Sequence, residues 1–171
     1  LRVKSGYDIS IITNNNGLIK ALKAVEGNEE NYVLQEYLTG KELSIDFFCD
    51  DDGNYLIDVP AYRKSALTTA FSKNGGTMDK GRTFHSEKIT EHIMQATKFM
   101  KIYGSANFGG YELSSGEIKY TEINARMTGG ATLIVKGSGI DLFQWSVDLL
   151  SGKAIKVPKK GFEEVYMTSY V

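Results

Sequence analysis

The feature that most constrains the fold is a pair of strand-like segments separated by a very short polar stretch. Residues Glu42 to Cys49 and Tyr55 to Tyr62 are both rich in branched and aromatic side chains. Asp50 to Asn54 stand between them with the sequence Asp-Asp-Asp-Gly-Asn, which is typical of a hairpin loop. Because so short a connection can join only antiparallel strands, this stretch predicts a β-hairpin.

A second hairpin is predicted near the middle of the chain, where Ala106 to Leu113 and Glu117 to Asn124 flank a Ser-Ser-Gly turn. Helical spacing of apolar residues predicts helices at residues 18–25, at 86–103, at 131–136 and at 142–150. Further strands are predicted at 9–13, 32–38 and 166–170, and a loop at 65–83. Hairpins with interspersed helices favour an α+β fold with an antiparallel sheet over a doubly wound parallel sheet.

Charge and composition exclude several classes of partner. The chain has 171 residues and a formal net charge of -1, so no overall basic field attracts nucleic acid or an anionic membrane. No apolar run approaches the roughly 20 residues that a membrane helix needs. No signal peptide is predicted at Leu1, and the single Cys49 is expected in a buried strand. These observations predict a cytoplasmic protein without nucleic-acid or membrane partners.

The strongest chemical signal is the segment Tyr-Thr-Glu-Ile-Asn-Ala-Arg at residues 120–126. Side chains two apart on a strand share one face, so Glu122 and Asn124 would direct two oxygen ligands toward one point. A carboxylate with an amide oxygen suits Mg²⁺, and Arg126 on the same face could meet a phosphoryl oxygen. Taken alone, Glu-x-Asn is more typical of an exposed hairpin edge than of a metal site.

The surrounding residues favour the metal site. Glu122, Asn124 and Arg126 are followed by Gly129-Gly130, by Lys136 and by Gly-Ser-Gly-Ile-Asp-Leu at 137–142. This order resembles the terminal motif of ATP-grasp enzymes, most closely the large subunit of carbamoyl-phosphate synthase. The resemblance implies that Glu122 and Asn124 hold Mg²⁺ (or Mn²⁺), that Arg126 contacts the transferred phosphoryl group, and that Lys136 assists in binding the nucleotide.

A second motif lies upstream, at residues 33–43, with the sequence Val-Leu-Gln-Glu-Tyr-Leu-Thr-Gly-Lys-Glu-Leu. It resembles the hinge of the same family between its lid and its body. The resemblance implies that Glu42 accepts hydrogen bonds from the ribose and that four residues border the adenine: Gln35, Glu36, Tyr37 and Leu38. On the residues alone, a core strand ending in a solvated Gly-Lys-Glu turn remains the alternative.

Two further positions follow from the resemblance. Val-Pro-Ala-Tyr-Arg-Lys at 59–64 is similar to the family strand whose arginine reaches the phosphates, which assigns that role to Arg63, with Lys64 as the second choice. A surface cation at a strand end is the alternative. Residues 1–9 are similar to the end of the glycine-rich phosphate loop, so Lys4 is expected to contact phosphates.

One position departs from the family pattern. Where the family has Gln, Asp or Glu as a further magnesium ligand, this sequence has Gly109. Glu112 is expected to substitute as a ligand, and Asn107 is the alternative. The register is open, because Gly109 and Gly110 could form a β-bulge.

The resemblance implies an ATP-grasp fold, with residues 1–38 as the end of the lid subdomain and 39–171 as the body. It implies an ATP- and magnesium-dependent ligase that activates a carboxylate or bicarbonate for attack by ammonia or an amine. A glutaminase subunit or a second copy of the chain is an expected partner. The alternatives are a family ligase or carboxylase with another acceptor, and a non-catalytic nucleotide-binding fragment.

Overall fold

The computed structural model describes residues 10–64, 80–128 and 135–168, and the chain divides into two compact units. The first unit comprises Leu1–Leu38 with Leu67–Gly76, and the second comprises Thr39–Ala66 with Thr77–Val171. The assignment of residues 1–38 to a lid and of 39–171 to a body remains a prediction.

In the first unit, helix α1 spans Asn15–Val25. The Asn14 side chain accepts a hydrogen bond from the Gly17 N–H at 2.9 Å, which satisfies one of the free donors of the first turn. Gly27 follows the helix with φ 79°, a conformation that glycine adopts without steric cost. These observations confirm the predicted helix and its end.

The strands predicted in this unit are wrong wherever the structure describes them. Residues 10–13 and 32–38 have no strand partner among the described residues, and a short 3₁₀ turn precedes the second segment at Glu29–Asn31. Residues 32–37 are exposed. An apolar segment becomes a strand only where a neighbouring edge accepts its backbone hydrogen bonds, and sequence pattern alone does not supply that edge.

The described residues of the second unit form a six-stranded sheet in the order β5-β4-β1-β2-β3-β6, with every neighbouring pair antiparallel. The strands are β1 Gly40–Cys49, β2 Tyr55–Lys64, β3 Lys80–Thr83, β4 Gly104–Leu113, β5 Ile118–Asn124 and β6 Tyr166–Thr168. The sheet confirms the antiparallel α+β prediction and both predicted hairpins. The predicted loop at 65–83 is wrong at its end, because residues 80–83 form β3. Residues 65–79 lie outside the described residues.

Strand β1 is buried on both faces from Leu43 to Cys49. One face packs against α2, Glu87–Met100, through Ile89 and Ile93. The Ser86 side chain caps α2 by accepting from the Ile89 N–H at 3.3 Å, as the sequence predicts. Burial raises the pKa of Cys49 to about 11, so its thiol is protonated at neutral pH and is a poor nucleophile.

The other face of the sheet packs against α3, Leu142–Leu150, and the segment before it. Trp145 of α3 meets Phe48 edge to face, with ring centroids 5.6 Å apart. The predicted helix at 131–136 is described only from residue 135, where a short helical turn begins. Among the described residues, no helix combines the length and apolarity that a bilayer crossing requires.

A β-bulge interrupts the pairing of β4 with β5. Gly109 pairs with Glu122, whereas Gly110 pairs with Tyr120, so Thr121 is an extra residue on β5. Tyr120 packs in the cluster beneath α2. Because of the extra residue, Glu122 and Asn124 lie on the opposite face from Tyr120, where regular alternation would have put all three together.

Three buried polar side chains lie on the face opposite α2: Ser44, Asp46 and Asn107. Asn107 donates from Nδ2 to Ser44 Oγ at 2.9 Å. Burial raises the pKa of Asp46 to about 7, while hydrogen bonds from Asn107 and Thr128 and the charge of Arg63 act in the opposite direction. The burial penalty therefore applies to the charged form of Asp46 and is relieved when the carboxyl is protonated.

The bulge yields a first prediction. A Cβ at position 110 would clash with the Lys119 carbonyl oxygen and lie 3.1 Å from Tyr120 Cα, so backbone must move. We expect Gly110→Ala to lower the free energy of unfolding by about 1–3 kcal/mol, measured by urea denaturation. Gly137→Ala is the control, because its Cβ would meet only Val165 Cγ2 at 3.8 Å. Equal stabilities of the two variants would contradict the bulge geometry.

Asp46 yields a second prediction. Its folded pKa of about 7 lies above the unfolded value of about 3.9, so the unfolded state binds fewer protons between them. The free energy of unfolding should therefore fall as pH rises from about 4 to about 7 and then level off. Relative to Asp46→Asn, the wild type should lose about 1–4 kcal/mol over that range in magnesium-free buffer.

Denaturant titrations at several pH values measure this difference. Asp51→Asn, in the exposed turn between β1 and β2, serves as the control and should follow the wild type. If the unfolding free energies of the wild type and Asp46→Asn depend on pH in the same way, the pKa of Asp46 does not differ between the folded and unfolded states.

Candidate functional site

Glu122 and Asn124 lie side by side at the end of β5. Asn124 donates from Nδ2 to Glu122 Oε1 at 3.2 Å, so both side chains extend from the same face of the strand. Glu122 is exposed and Asn124 is half-buried. The amide oxygen of Asn124 and the second carboxylate oxygen of Glu122 are available as oxygen ligands on one side of the sheet, as the spacing predicts.

Gly109 faces Glu122 from the neighbouring strand. A Cβ at position 109 would lie 2.9 Å from Glu122 Cγ and 3.1 Å from Glu122 Oε1. The glycine therefore lets the Glu122 side chain lie over β4. The paired carboxylate and amide fit a hard cation such as Mg²⁺, which commonly takes one or two protein ligands and completes its shell with water and phosphate oxygens.

Glu112 does not join this pair, which corrects its prediction as a metal ligand. It lies two residues beyond Gly110 on β4 and accepts a hydrogen bond from the Tyr62 hydroxyl at 2.6 Å. Lys41 Nζ is 3.6 Å from Glu112 Oε2. Tyr62 and Glu112 lie on the α2 face, opposite Glu122, and burial together with Glu112 raises the pKa of Tyr62 to about 12.

Asn107, the alternative ligand considered from sequence, lies on the correct face. It is the Cα partner of Asn124 across β4 and β5. Its side chain is 2% exposed and donates to Ser44. Asn107 thus stands beside the Glu122 and Asn124 pair and is held in place from β1.

Arg63, near the end of β2, lies beside Glu42, near the start of β1. Arg63 Nη1 lies 3.5 Å from Glu42 Oε1, and both side chains are partly exposed, at 23% and 36%. An ion pair this accessible contributes little to stability but orients both side chains. The phosphate-binding cation and the ribose-binding carboxylate predicted from sequence are therefore neighbours.

Arg126 and Lys136 have local partners. Arg126 Nη1 donates to the Met127 carbonyl oxygen at 3.2 Å and is otherwise exposed. Lys136 Nζ lies 3.0 Å from Asp141 Oδ2, at the start of α3. A backbone hydrogen bond from Gln144 and the side chain of Lys136 lower the pKa of Asp141, which caps that helix.

The remaining predicted residues belong to the first unit. Four of them lie in a segment that forms no helix or strand with the described residues: Gln35, Glu36, Tyr37 and Leu38. Tyr37 is 66% exposed. Lys4 lies outside the described residues. The assignment of these five residues to a nucleotide site stays a prediction.

Sequence reasoning missed Asp46 and Thr128. Thr128 donates from Oγ1 to Asp46 Oδ1 at 3.3 Å, which joins β1 to the segment that follows Arg126. The available signal was a carboxylate in the middle of an apolar strand, where a charged residue is costly unless it has partners. Thr128, with no such local signal, could be recognised only from the structure.

Comparison with known proteins adds a family and a set of related folds. The family model described as "ATP-grasp in the biosynthetic pathway with Ter operon" matches residues 28–170. Biotin carboxylase from Campylobacter jejuni, in complex with β-γ-ATP, is similar in structure with a TM-score of 0.69 and 16% identity. The match covers 94% of this chain and 37% of that one.

Two other solved structures show the same fold. One is the biotin carboxylase domain of Hydrogenobacter thermophilus 2-oxoglutarate carboxylase, with a TM-score of 0.69 and 14% identity over 94% of this chain and 37% of that one. The other is N5-carboxyaminoimidazole synthetase from Staphylococcus aureus, with a TM-score of 0.62 and 14% identity over 90% of this chain and 40% of that one.

These structures extend well beyond the matched region, since this chain spans about two fifths or less of their length. At such identities the similarity concerns the fold, which is a partial ATP-grasp domain. The family match covers more than four fifths of the sequence and confirms the resemblance drawn from the Glu-x-Asn-x-Arg motif. The chain belongs to the ATP-grasp family.

Proposed function

We propose that this chain is the main nucleotide- and magnesium-binding part of an ATP-dependent ligase that activates a carboxylate or bicarbonate as an acyl phosphate. The observation that carries the proposal is the placement of Glu122 and Asn124 side by side on one face of β5. Family membership supports it, because the resemblance to this family assigns magnesium binding to the same two residues.

The proposed reaction has two steps. A carboxylate oxygen of the acid forms a bond to the γ-phosphorus of ATP, and the bond from that phosphorus to the β–γ bridging oxygen breaks, releasing ADP. Ammonia or an amine then attacks the acyl carbon, the carbon–oxygen bond to phosphate breaks, and the nitrogen loses a proton. Such transfer depends mainly on positioning and charge neutralisation.

The residues of the second unit have distinct roles in this proposal. Glu122 and Asn124 would hold Mg²⁺ (or Mn²⁺), which supplies charge neutralisation at the phosphates when bound. Arg63 and Arg126 contribute fixed positive charge to the γ-phosphate and the acyl phosphate. Glu42, held beside Arg63, accepts from the ribose hydroxyls. Lys136 assists by exchanging its ion pair with Asp141 for a contact with a phosphate oxygen.

For the first unit, we propose the nucleotide contacts that the resemblance implies. Lys4 would contact the phosphates, and four residues would border the base: Gln35, Glu36, Tyr37 and Leu38. An extended backbone offers donors and acceptors to the adenine edge, and apolar side chains can cover the ring. The exposed ring of Tyr37 suits that role.

The structural neighbours support a nucleotide-dependent carboxylate chemistry. The Campylobacter jejuni enzyme is described with β-γ-ATP, and the Hydrogenobacter thermophilus domain with MgADP and bicarbonate, as a dimer. We extend the proposal to a carbamoyl-phosphate synthase-like carbon–nitrogen ligase that uses bicarbonate and ammonia. A glutaminase subunit or a second copy of the chain would be its partner, in the cytoplasm. Another acceptor on the same fold is the alternative.

A second candidate function is nucleotide binding without turnover. The observation that favours it is Gly109, which offers no side chain where the family has a further magnesium ligand, while Glu112 is occupied on the other face. With only two protein ligands, the chain would bind Mg-nucleotide more weakly. Single-turnover measurements distinguish the candidates, because only the ligase converts ATP to ADP when the acid is present.

The proposed metal pair yields a third prediction. In the whole protein, Mg-ATP at a hundredfold excess over Kd should stabilise the fold by about 2.7 kcal/mol, seen as a rise in Tm. Glu122→Gln removes the anionic ligand without changing its size, so we expect Mg-ATP affinity to fall at least about tenfold. Titration of Mg²⁺ at fixed ATP, followed by thermal shift, measures the loss.

Glu117→Gln is the matched control, since Glu117 is exposed in the turn between β4 and β5. It should bind Mg-ATP as the wild type does. Mg-GTP provides a test of base selection and should stabilise less than Mg-ATP. Unchanged magnesium dependence in Glu122→Gln would remove Glu122 from the site.

Gly109 yields a fourth prediction. An added Cβ would displace the Glu122 side chain, which is flexible, instead of backbone. We therefore expect Gly109→Ala to reduce Mg-ATP affinity about three- to tenfold with a stability loss below about 1 kcal/mol. Parallel thermal-shift and urea measurements separate the two effects. A large stability loss with unchanged affinity would contradict the placement of Glu122 over β4.

A further inference from the structure

A row of directly paired residues crosses four strands of the sheet at the level of the proposed site. Val59 of β2 pairs with Asp46 of β1, Asp46 pairs with Asn107 of β4, and Asn107 pairs with Asn124 of β5. Directly paired residues extend their side chains from the same face. Asp46 therefore lies on the face that carries the proposed metal pair, two strands away from Asn124.

Asp46 is the buried anchor of the segment that follows Arg126. Thr128 donates from Oγ1 to Asp46 Oδ1 at 3.3 Å. Asp46 is 1% exposed. This bond ties the chain to β1 at Thr128, only two residues after Arg126.

Polar side chains of β1 also lie against Asn107 of the neighbouring strand β4. Asn107 is the direct partner of Asp46 across β4 and β1, and it donates to Ser44 Oγ at 2.9 Å. Asn107 is buried and is the direct neighbour of Asn124. Ser44 of β1 thus holds Asn107, the neighbour of the proposed metal pair. Asp46 of β1 holds the segment that follows Arg126, the proposed phosphate contact.

This arrangement costs stability. A carboxyl removed from water is unfavourable unless hydrogen bonds compensate, and an apolar residue of similar size would often serve the core better. Among the residues that the structure describes, no hydrogen bond reaches Asp46 Oδ2, although the atom is buried. Core packing therefore gives no reason for an aspartate at this position.

We propose that Asp46 is a positioning residue for phosphoryl transfer: it fixes residues 126–128 and supports Asn107 beneath the Glu122 and Asn124 pair. The proposal rests on the proposed function for its chemical consequence. Its structural part, that the Asp46 carboxyl immobilises the segment after Arg126, stands independently. Asp46 acts through other residues and touches neither nucleotide nor acid.

The experiment compares four variants in the whole protein. Asp46→Ala removes the anchor, Asp46→Asn keeps an oxygen that can accept from Thr128, and Thr128→Val removes the side-chain donor. Asp58→Asn is the matched control: Asp58 is also a buried carboxyl, but it lies on the α2 face and bonds Tyr55 and Thr90. All four are characterised by amide hydrogen exchange and by ADP formation.

We expect Asp46→Ala to speed amide exchange at residues 126–128 at least about tenfold, with Asp46→Asn closer to the wild type and Asp58→Asn unchanged there. The kcat for ADP formation should fall about tenfold to a hundredfold in Asp46→Ala, with KM for ATP within about threefold. Thr128→Val should add little in an Asp46→Ala background, since both changes remove the same contact.

Two results would overturn the proposal. Exchange at residues 126–128 that is the same in Asp46→Ala as in the wild type, or equally accelerated by Asp58→Asn, would show that Asp46 does not hold the segment. Accelerated exchange with unchanged kcat would show that the segment's order does not matter for transfer. A wild type that fails to bind Mg-ATP would count against the proposed function, while the exchange data still decide whether Asp46 is the anchor.

Discussion

Strand β1 is the element on which the second unit depends, because it is hydrogen-bonded along both edges and buried on both faces. It pairs with β4 over its whole length and with β2 from Leu43 to Cys49. Its apolar side chains toward α2 form one core, and Phe48 on the opposite face joins the core beneath α3. A strand enclosed in this way fixes the register of its neighbours, since a slip of one residue would exchange the two faces.

The bulge at Thr121 determines which face of the sheet carries the side chains at the end of β5. It places Tyr120 in the core under α2 and turns Glu122 and Asn124 to the other face. The close approach of the two strands requires Gly110, and the space over Gly109 accommodates Glu122. Gly110 thus allows the strands to pack closely, and Gly109 leaves room for the Glu122 side chain.

Charge around the proposed site is arranged locally, as a protein with a net charge of -1 requires. Arg63 is held by Glu42, and Lys136 by Asp141. Each ion pair is partly exposed, so an arriving phosphate can compete for the cation at small cost. Asp46 differs, because it is buried: its hydrogen bond from Thr128 is little weakened by water, and an unpaired charge there would be costly.

By itself, the sequence determined what depends on neighbouring residues: the capped helices α1 and α2, the two hairpins, and the two-residue spacing that puts Glu122 and Asn124 together. Tertiary structure decided what depends on distant partners. Asn107 meets Ser44 across 63 positions, and Glu112 is bound by Tyr62 across 50, which removes it from the metal pair. Register, bulges and burial are set by which strands pair, and the apolar run 32–38 forms no strand with any of the described residues. Local spacing contains no information about that choice, because the hydrogen bonds and desolvation that decide it come from residues far along the chain.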